Sequence, residues 1–297
     1  MDFLTYTKNT TLGGLLKHPR EDNYKVSSKH PIAAVADGVT EIMERDDSGG
    51  YPVFEDCESG PYKISKLFCN KIVDILEGDY PDIDKNVLKQ AYKTANKKVR
   101  KKNEELLEID ASHKDYPWRS YSATTAVAVK LEDRLIYGVL HDCGVSILNT
   151  QGELKMQTTP LRDRKDKPEP PEEIVKKKEG INNKKEFRNK IRNNPEFIRG
   201  NYAYSHGVLN GQQGALSYLQ LNEIELESED KIAVYSDGFE PYFNLDKFRE
   251  LLVQADDKKK FKRQLDQLIT SLLKENITVD DYSVISEYGS EKTLVLV

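Results

Sequence analysis

The feature that most constrains this chain is a repeated junction between a short apolar, strand-like run and an acidic residue. "AAVADG" ends at Asp37-Gly38, "GVLHDCG" carries Asp142, "IAVYSDG" ends at Asp237-Gly238, and "TVDDYSVI" starts its run after Asp280-Asp281. Glu21-Asp22 forms a fifth acidic cluster of the same kind. One carboxylate at a strand end means little, because aspartate favours turns. Five, spread over nearly all of the 297 residues, suggest strand ends that converge on one place. Converging carboxylates repel one another unless a cation neutralises them.

The length suits one large domain or two small ones. With no internal repeat and no clear linker, the expectation is one domain over residues 1–297. A net charge of −5 gives the chain as a whole no polyanion-binding character, so nucleic acid is not an expected partner. Cys57, Cys69 and Cys143 form neither a CxxC pair nor an even framework, which points to a reduced, cytoplasmic setting. The opening "MDFLTYTKNTTLGG" lacks a charged region followed by an apolar stretch. No segment approaches the ~20 apolar residues of a membrane span. The reading is of a soluble, non-exported protein without membrane partners.

Residues 32–36 form a short apolar run between Pro31 and Gly38 and read as a buried strand. Residues 48–61 read as a loop. Two amphipathic helices follow, one burying Ile64, Leu67, Phe68, Ile72, Ile75 and Leu76, the other Leu88, Ala91, Tyr92, Ala95 and Val99 with lysines opposite. "SATTAVAVKL" alternates, Val127, Val129 and Leu131 on one side and Thr124, Ala126 and Ala128 on the other. "RLIYGVL" and "GVSILN" follow after short turns and suggest an antiparallel meander. Residues 162–199 break the pattern and read as an inserted, flap-like segment with some helix. Its basic run over 176–192 is best read as a solvated helix face. Strands return at "EIEL" and "KIAVYS", two helices carry Leu245, Phe248, Leu251 and Leu252, then Phe261, Leu265, Leu268, Ile269 and Leu272, and "YSVISEY" closes the pattern. Strands in runs and helices in pairs indicate an α+β fold rather than a parallel α/β sheet.

Hard divalent cations such as Mg²⁺ and Mn²⁺ take carboxylate, carbonyl and water oxygens. Aspartate is short, so its backbone must lie close to the ion, and rigid strand ends supply that. A glycine after Asp37 and after Asp237 would let the chain turn and bring a carbonyl close to a ligand. Two ions about 3.5–4 Å apart can share a carboxylate and a water that readily loses a proton. That chemistry suits hydrolysis of a phosphate ester.

The motifs run in the order "REDNY", "AVADG", "SATTAVAV", "GVLHDCGVSIL", "SHGVLNGQQGAL", "DKIAVYSDGFEPYF" and "TVDDYSVI". In that order the chain resembles the metal-dependent protein phosphatases of the PP2C family over roughly residues 10–288. The resemblance implies a four-layer α-β-β-α sandwich of two antiparallel sheets flanked by helix pairs, with Mn²⁺ or Mg²⁺, two or three ions, at one end. It implies that Asp37 bridges two metals and Gly38 offers its carbonyl. Asp22, Asp237 and Asp280 would hold metals directly or through water, and Glu21 would support them from outside. Asp142 matches the aspartate that helps hold a third metal. The implied reaction is hydrolysis of phosphoserine and phosphothreonine in a phosphorylated protein substrate by metal-activated water, with no phosphoenzyme.

Three positions depart from the family pattern. The phosphate-binding arginine that usually precedes the first acidic pair is replaced at its bacterial offset by Lys17, while Arg20 stands next to Glu21; either could bind phosphate, Arg bidentately and Lys as a point charge. "DGHGG" of the eukaryotic members is "DGVTE", so Val39 replaces a histidine proposed as general acid, and "GDSR" is "HDCG". These changes keep two other readings open: a catalytically weak or inactive member that binds a partner, and a phosphatase of small metabolites. A Cys143/His141 nucleophile is disfavoured, since such a pair normally comes from separate elements. "VADGVTEI" is similar to the "DxDGT" of haloacid dehalogenase-like phosphatases, but Val39 occupies the place of its second aspartate. No phosphate-binding GxxxxGK[ST] loop is present.

Overall fold

The computed structural model describes residues 3–8, 20–39, 54, 58–165, 167–277 and 291–297. Two antiparallel five-stranded sheets stack face to face. One runs in the order β1 (Leu4–Lys8), β12 (Lys292–Leu296), β11 (Lys231–Tyr235), β6 (Gly144–Leu148), β7 (Leu154–Gln157). The other runs β10 (Gln220–Glu225), β5 (Arg134–Leu140), β4 (Ala123–Leu131), β3 (Ile32–Gly38), β2 (Asn23–Val26).

Side chains alternate across each strand, and both faces of the central strands are buried. On β3, Ile32, Ala34 and Ala36 face a helical layer, while Ala33 and Val35 face the opposing sheet. There they meet Ala126, Ala128, Val145, Ile147, Val234 and Val295. The expected split of β4 into Val127/Val129/Leu131 and Ala126/Ala128 is present, the first set under helices and the second between the sheets.

Helices α1 (Gly60–Asp79) and α2 (Lys85–Leu107) cover the β10–β2 sheet. Ser59 caps α1 by accepting from the Tyr62 amide at 3.2 Å, with Pro61 in the first turn where its missing N–H costs nothing. Asp84 caps α2 by accepting from the Val87 amide at 2.7 Å. α1 starts at Gly60, so the helix claims the last two residues of the expected 48–61 loop.

The inserted segment contains α3 (Glu172–Lys178), α4 (Lys184–Lys190) and a small hairpin of β8 (Ile198–Arg199) with β9 (Tyr202–Ala203). It has its own core of Ile174, Ile191, Phe197, Tyr202 and Tyr204. Buried Arg188 lies 4.9 Å from the centre of the Trp118 ring, and Lys185 pairs with Asp115 at 3.2 Å, tying the segment to the turn before β4. Its charges are largely spent internally: Lys176 pairs with Glu172, Lys177 with Glu196, and Arg199 with Glu173. The run over 176–192 is nevertheless not the solvated face expected of it: Arg188 and Arg192 are buried, and Lys178 donates to the Tyr204 carbonyl at 2.6 Å.

Helices α5 (Asp246–Val253) and α6 (Lys258–Ile277) cover the other sheet, packing Phe248, Leu252, Phe261, Leu265 and Ile269 against Ala233, Tyr235, Leu294 and Leu296. The architecture is therefore α+β in four layers.

The meander expected through β4, β5 and β6 stops at β5. β6 pairs instead with β11 and β7 in the opposite sheet. The crossing occurs at His141, whose φ of 71° lies in the left-handed region and swings the chain across. β12 was not anticipated, although it sits between β1 and β11. The strand expected at "YSVISEY" lies outside the described residues.

Phe248 is fully buried and contacts the rings of Phe239, Tyr242 and Phe243. Phe248→Ala is expected to lower the unfolding free energy by about 3–5 kcal/mol in urea titrations.

Candidate metal centre

The alternation that packs the core also aims the carboxylates. Asp37 continues the Ala33–Val35 phase of β3 towards the space between the sheets, opposite Thr124 of β4. Ser236 continues the Ile232–Val234 phase of β11, and Asp237 follows it at the start of a 3₁₀ helix, Asp237–Asn244. Asp22 directly precedes β2, and Asp142 sits in the crossing from β5 to β6. Asp22, Asp37, Asp142 and Asp237 thus gather at one end of the sandwich, close enough to act on one another electrostatically.

Asp22 is buried and held in place. Ser236 Oγ donates to its Oδ2 at 2.6 Å, and that hydroxyl in turn accepts from the Thr293 amide of β12 at 2.9 Å. Buried Glu21 accepts from Ser59 Oγ at 3.3 Å, and its carbonyl accepts from Ser65 Oγ at 2.6 Å. The Glu21 amide donates to Glu291 at 2.9 Å. Arg20 lies beside this group, its Nε donating to the Asp22 carbonyl at 3.3 Å and standing 3.8 Å from Glu291.

Gly38 is required by crowding rather than by a turn. It belongs to β3, and a Cβ there would come within 2.8 Å of the Pro61 side chain and 3.0 Å of Glu21 Cβ. The expected role of this glycine in a sharp turn is therefore corrected: it lets the N-terminus of α1 and the Glu21 segment close over the strand end.

Burial, followed by the charges of Asp22, Asp237 and Asp142, pushes the Asp37 carboxyl well above the usual range. Burial likewise raises Asp22, against the hydrogen bond from Ser236. Asp237 reaches the surface at the rim of the site, yet crowding by protein and the charges of Asp142 and Asp22 push it up to about 8. Glu291 is pushed up to about 8 by burial and by Asp22. Burial, and then Lys8, lowers Lys292 to about 7, against the pull of Asp237 and Asp22.

Asp142 behaves in the opposite way. Burial opposes its ionisation, but the charge of His141, whose Nδ1 is 2.6 Å from Oδ2, and contacts with Thr124 outweigh it and lower the carboxyl to about 2. Its other oxygen, Oδ1, is buried without a hydrogen-bond partner. The Cys143 thiol is buried 3.3 Å from Thr124 Oγ1, and burial and the nearby Asp37 push it well above its usual range. Such a thiol is inert, in keeping with a packed cysteine rather than a nucleophile.

Lys17 and Asp280 lie outside the described residues. Among the described residues, no three His, Cys, Asp or Glu side chains make a ligating group by themselves. The donors present still suit a hard cation: they are oxygens only, they repel one another as anions, and Asp142 Oδ1 lacks a donor. Ser236, Thr293, Glu291 and Lys292 were not anticipated as parts of the site. Ser236 could have been found from its place before Asp237, and Glu291 from its place just before the apolar run "TLVLV" of β12.

A family model described as protein phosphatase 2C matches residues 17–281. The chain belongs to that family. No match is found among curated protein sequences. The fold is similar to the Mycobacterium tuberculosis serine/threonine phosphatase PstP/Ppp, at 14% identity, TM-score 0.55, covering 99% of this chain and 97% of that one. It is also similar to the PstP catalytic domain solved with two manganese ions, at 15% identity and TM-score 0.57, covering 99% and 96%. A third similar fold is the serine/threonine phosphatase Stp1 from Staphylococcus aureus, at 13% identity and TM-score 0.58, covering 100% and 94%. At such identity these likenesses speak to the fold, and the family's four layers are the ones observed here.

Two outcomes follow from the site. Gly38→Ala is expected to cost about 1–3 kcal/mol of stability in urea titrations, through overpacking against Pro61 and Glu21. Without divalent ions, the folded Asp22, Asp37, Asp237 and Glu291 retain protons that the unfolded chain releases. Thermal midpoints measured in EDTA should therefore fall as pH rises from the ordinary carboxylate range towards about 8. Asp142 acts in the opposite sense only in acid, where its contribution is lost as pH falls towards about 2.

Proposed function

We propose that the protein is a metal-dependent phosphatase that removes phosphate from phosphoserine and phosphothreonine in protein substrates, working as one domain over residues 1–297. The observation that carries this reading is the mutual repulsion of Asp22, Asp37 and Asp237 at the end of the sandwich, which a divalent cation would relieve. Asp37 would bridge two ions, Gly38 would present its carbonyl, and Asp22, Asp237 and Asp280 would complete the set. Asp142 would serve a third ion through Oδ1, since His141 engages the other oxygen. Mn²⁺ fits this oxygen set, as does Mg²⁺. When bound, the ions would supply an activated water and neutralise charge on the phosphoryl oxygens.

The chain's own residues contribute order and charge. Ser236 fixes the Asp22 carboxylate, and β12 fixes Ser236. Arg20, beside Asp22, is the cation proposed to orient the phosphate, with Lys17 as its alternative. Val39 supplies no proton donor, so the departing serine or threonine oxygen would take its proton from water.

A small gap lined by His141, Arg162, His206, Tyr218 and Gln220 among others contains none of the proposed ligands. A catalytically weak, partner-binding protein is separated from an enzyme by calorimetry with Mn²⁺ alongside turnover. No helix among the described residues is long and apolar enough to cross a membrane.

Hydrolysis of p-nitrophenyl phosphate and of a phosphothreonine peptide should appear with Mn²⁺ and vanish in EDTA. Asp37→Asn should lower kcat at least ~100-fold while circular dichroism shows a folded protein. Metal-independent turnover, or none in a folded, Mn²⁺-loaded protein, would overturn the reading.

A further inference from the structure

The inserted segment reaches the candidate site through a line of rings that the proposed chemistry does not use. Phe187 of α4 lies over His206, with ring centres 5.4 Å apart and planes 29° from parallel. His206 also meets His141, at 4.9 Å and 74°. Both pairs have separations at which aromatic rings attract one another. His141 Nδ1 in turn stands 2.6 Å from Asp142 Oδ2. The line thus runs from a helix of the insertion to a carboxylate at the end of the sandwich.

His206 is fastened to the insertion through its backbone. Its carbonyl accepts from the Asn193 amide at 3.1 Å, and Ser205 Oγ donates to the Ile191 carbonyl at 3.0 Å. The Asn193 side chain spans the same join: Oδ1 accepts from the Val208 amide at 2.7 Å, and Nδ2 donates to the Val208 carbonyl at 3.0 Å. Residues 205–208 are thereby stitched to the chain that leaves α4. Burial, followed by the charges of His141, Arg192 and Arg162, lowers His206 to about 2, so it meets its neighbours as a neutral ring.

His141 receives this contact with its side chain only 8% exposed and its φ at 71°. Glycine adopts that backbone conformation freely, whereas another residue holds it only where its surroundings fix it. Asp142 depends on the result. Its Oδ1 has no hydrogen-bond partner, so the carboxylate is oriented chiefly by His141 and then by Thr124.

We propose that His206 is a positioning residue: its ring, held against Phe187, keeps the His141 imidazole on Asp142, so that the seating of the inserted segment sets how Asp142 is presented to a cation. This role rests on the phosphatase reading only in placing a cation at Asp142. A ring that merely filled space would affect stability and leave Asp142 unchanged.

The test compares H206A, which removes the ring, with H206F, which keeps one, in the full chain. Calorimetric titration with Mn²⁺ reads the weakest-bound ion, and turnover of p-nitrophenyl phosphate reads the Mn²⁺ concentration for half-maximal activity. H206A is expected to raise both about tenfold or more, and H206F to restore both to within about twofold of wild type. The tighter-bound ions should change by no more than about twofold. In a D142N background H206A should shift neither value by more than about twofold, because its effect passes through that carboxylate. Crystal structures of the variants in EDTA read the contact without metal: His141 Nδ1 should lie beyond about 3.5 Å from Asp142 Oδ2 in H206A and within that distance in H206F. If H206A fails to fold by circular dichroism, F187A takes its place with the same expectation. A wild type that binds no Mn²⁺ overturns the phosphatase reading, and the EDTA structures then decide the role of His206 by themselves. An unchanged Mn²⁺ response in H206A, an unchanged contact, or an equal effect in the D142N background would overturn the proposal. So would a loss confined to thermal stability.

Discussion

The mutual repulsion of carboxylates at the end of two packed sheets is the constraint around which this structure is organised. Asp22 and Asp37 are each raised by burial, and Asp37 also by Asp22, Asp237 and Asp142. A fold that gathers such groups without a cation works against itself, since each charge is desolvated beside another of the same sign. The surrounding hydrogen bonds relieve only part of this. Ser236 steadies Asp22, whereas Asp142 leaves one oxygen without a donor. A positive partner at this end of the sandwich would relieve that repulsion.

The rest of the architecture supplies the rigidity that this demands. Small residues, Ala33, Ala126 and Ala128, let the two sheets approach, and the same two-residue period that buries them turns Asp37 into the gap. Gly38 admits the start of α1 and the Glu21 segment against the strand end. On the opposite sheet, the aromatic cluster around Phe248 fixes the 3₁₀ helix that begins at Asp237. Each carboxylate is therefore anchored by a separate part of the core, and a change in packing at either sheet would be felt at the site.

Part of the surface's positive charge is paired locally. In the inserted segment, lysines and arginines meet glutamates of the same segment, and Arg188 is buried over Trp118. Along α2, Arg100 pairs with Glu104 and Lys102 with Glu105.

Much of this was legible in the sequence, because strand alternation and strand-end aspartates are local properties. The runs at 32–38, 123–131 and 231–235 declare their buried faces, and their period alone sends Asp37 to the face of Ala33 and Val35. Helices α1, α2, α5 and α6 are likewise declared by their apolar spacing. The sequence by itself also singled out the carboxylates at those junctions as candidate ligands of a hard cation, because an acidic residue at a strand end is a local feature. Tertiary structure alone decided where β6 goes: a left-handed His141 carries the chain to the opposite sheet, and no local pattern distinguishes that crossing from a hairpin. It alone placed β12 between β1 and β11, and so brought Thr293, Glu291 and Lys292 to carboxylates distant in sequence. It also decided how strongly those carboxylates act on one another, because burial and separation are set by the packing of two sheets and not by the spacing of residues along a chain.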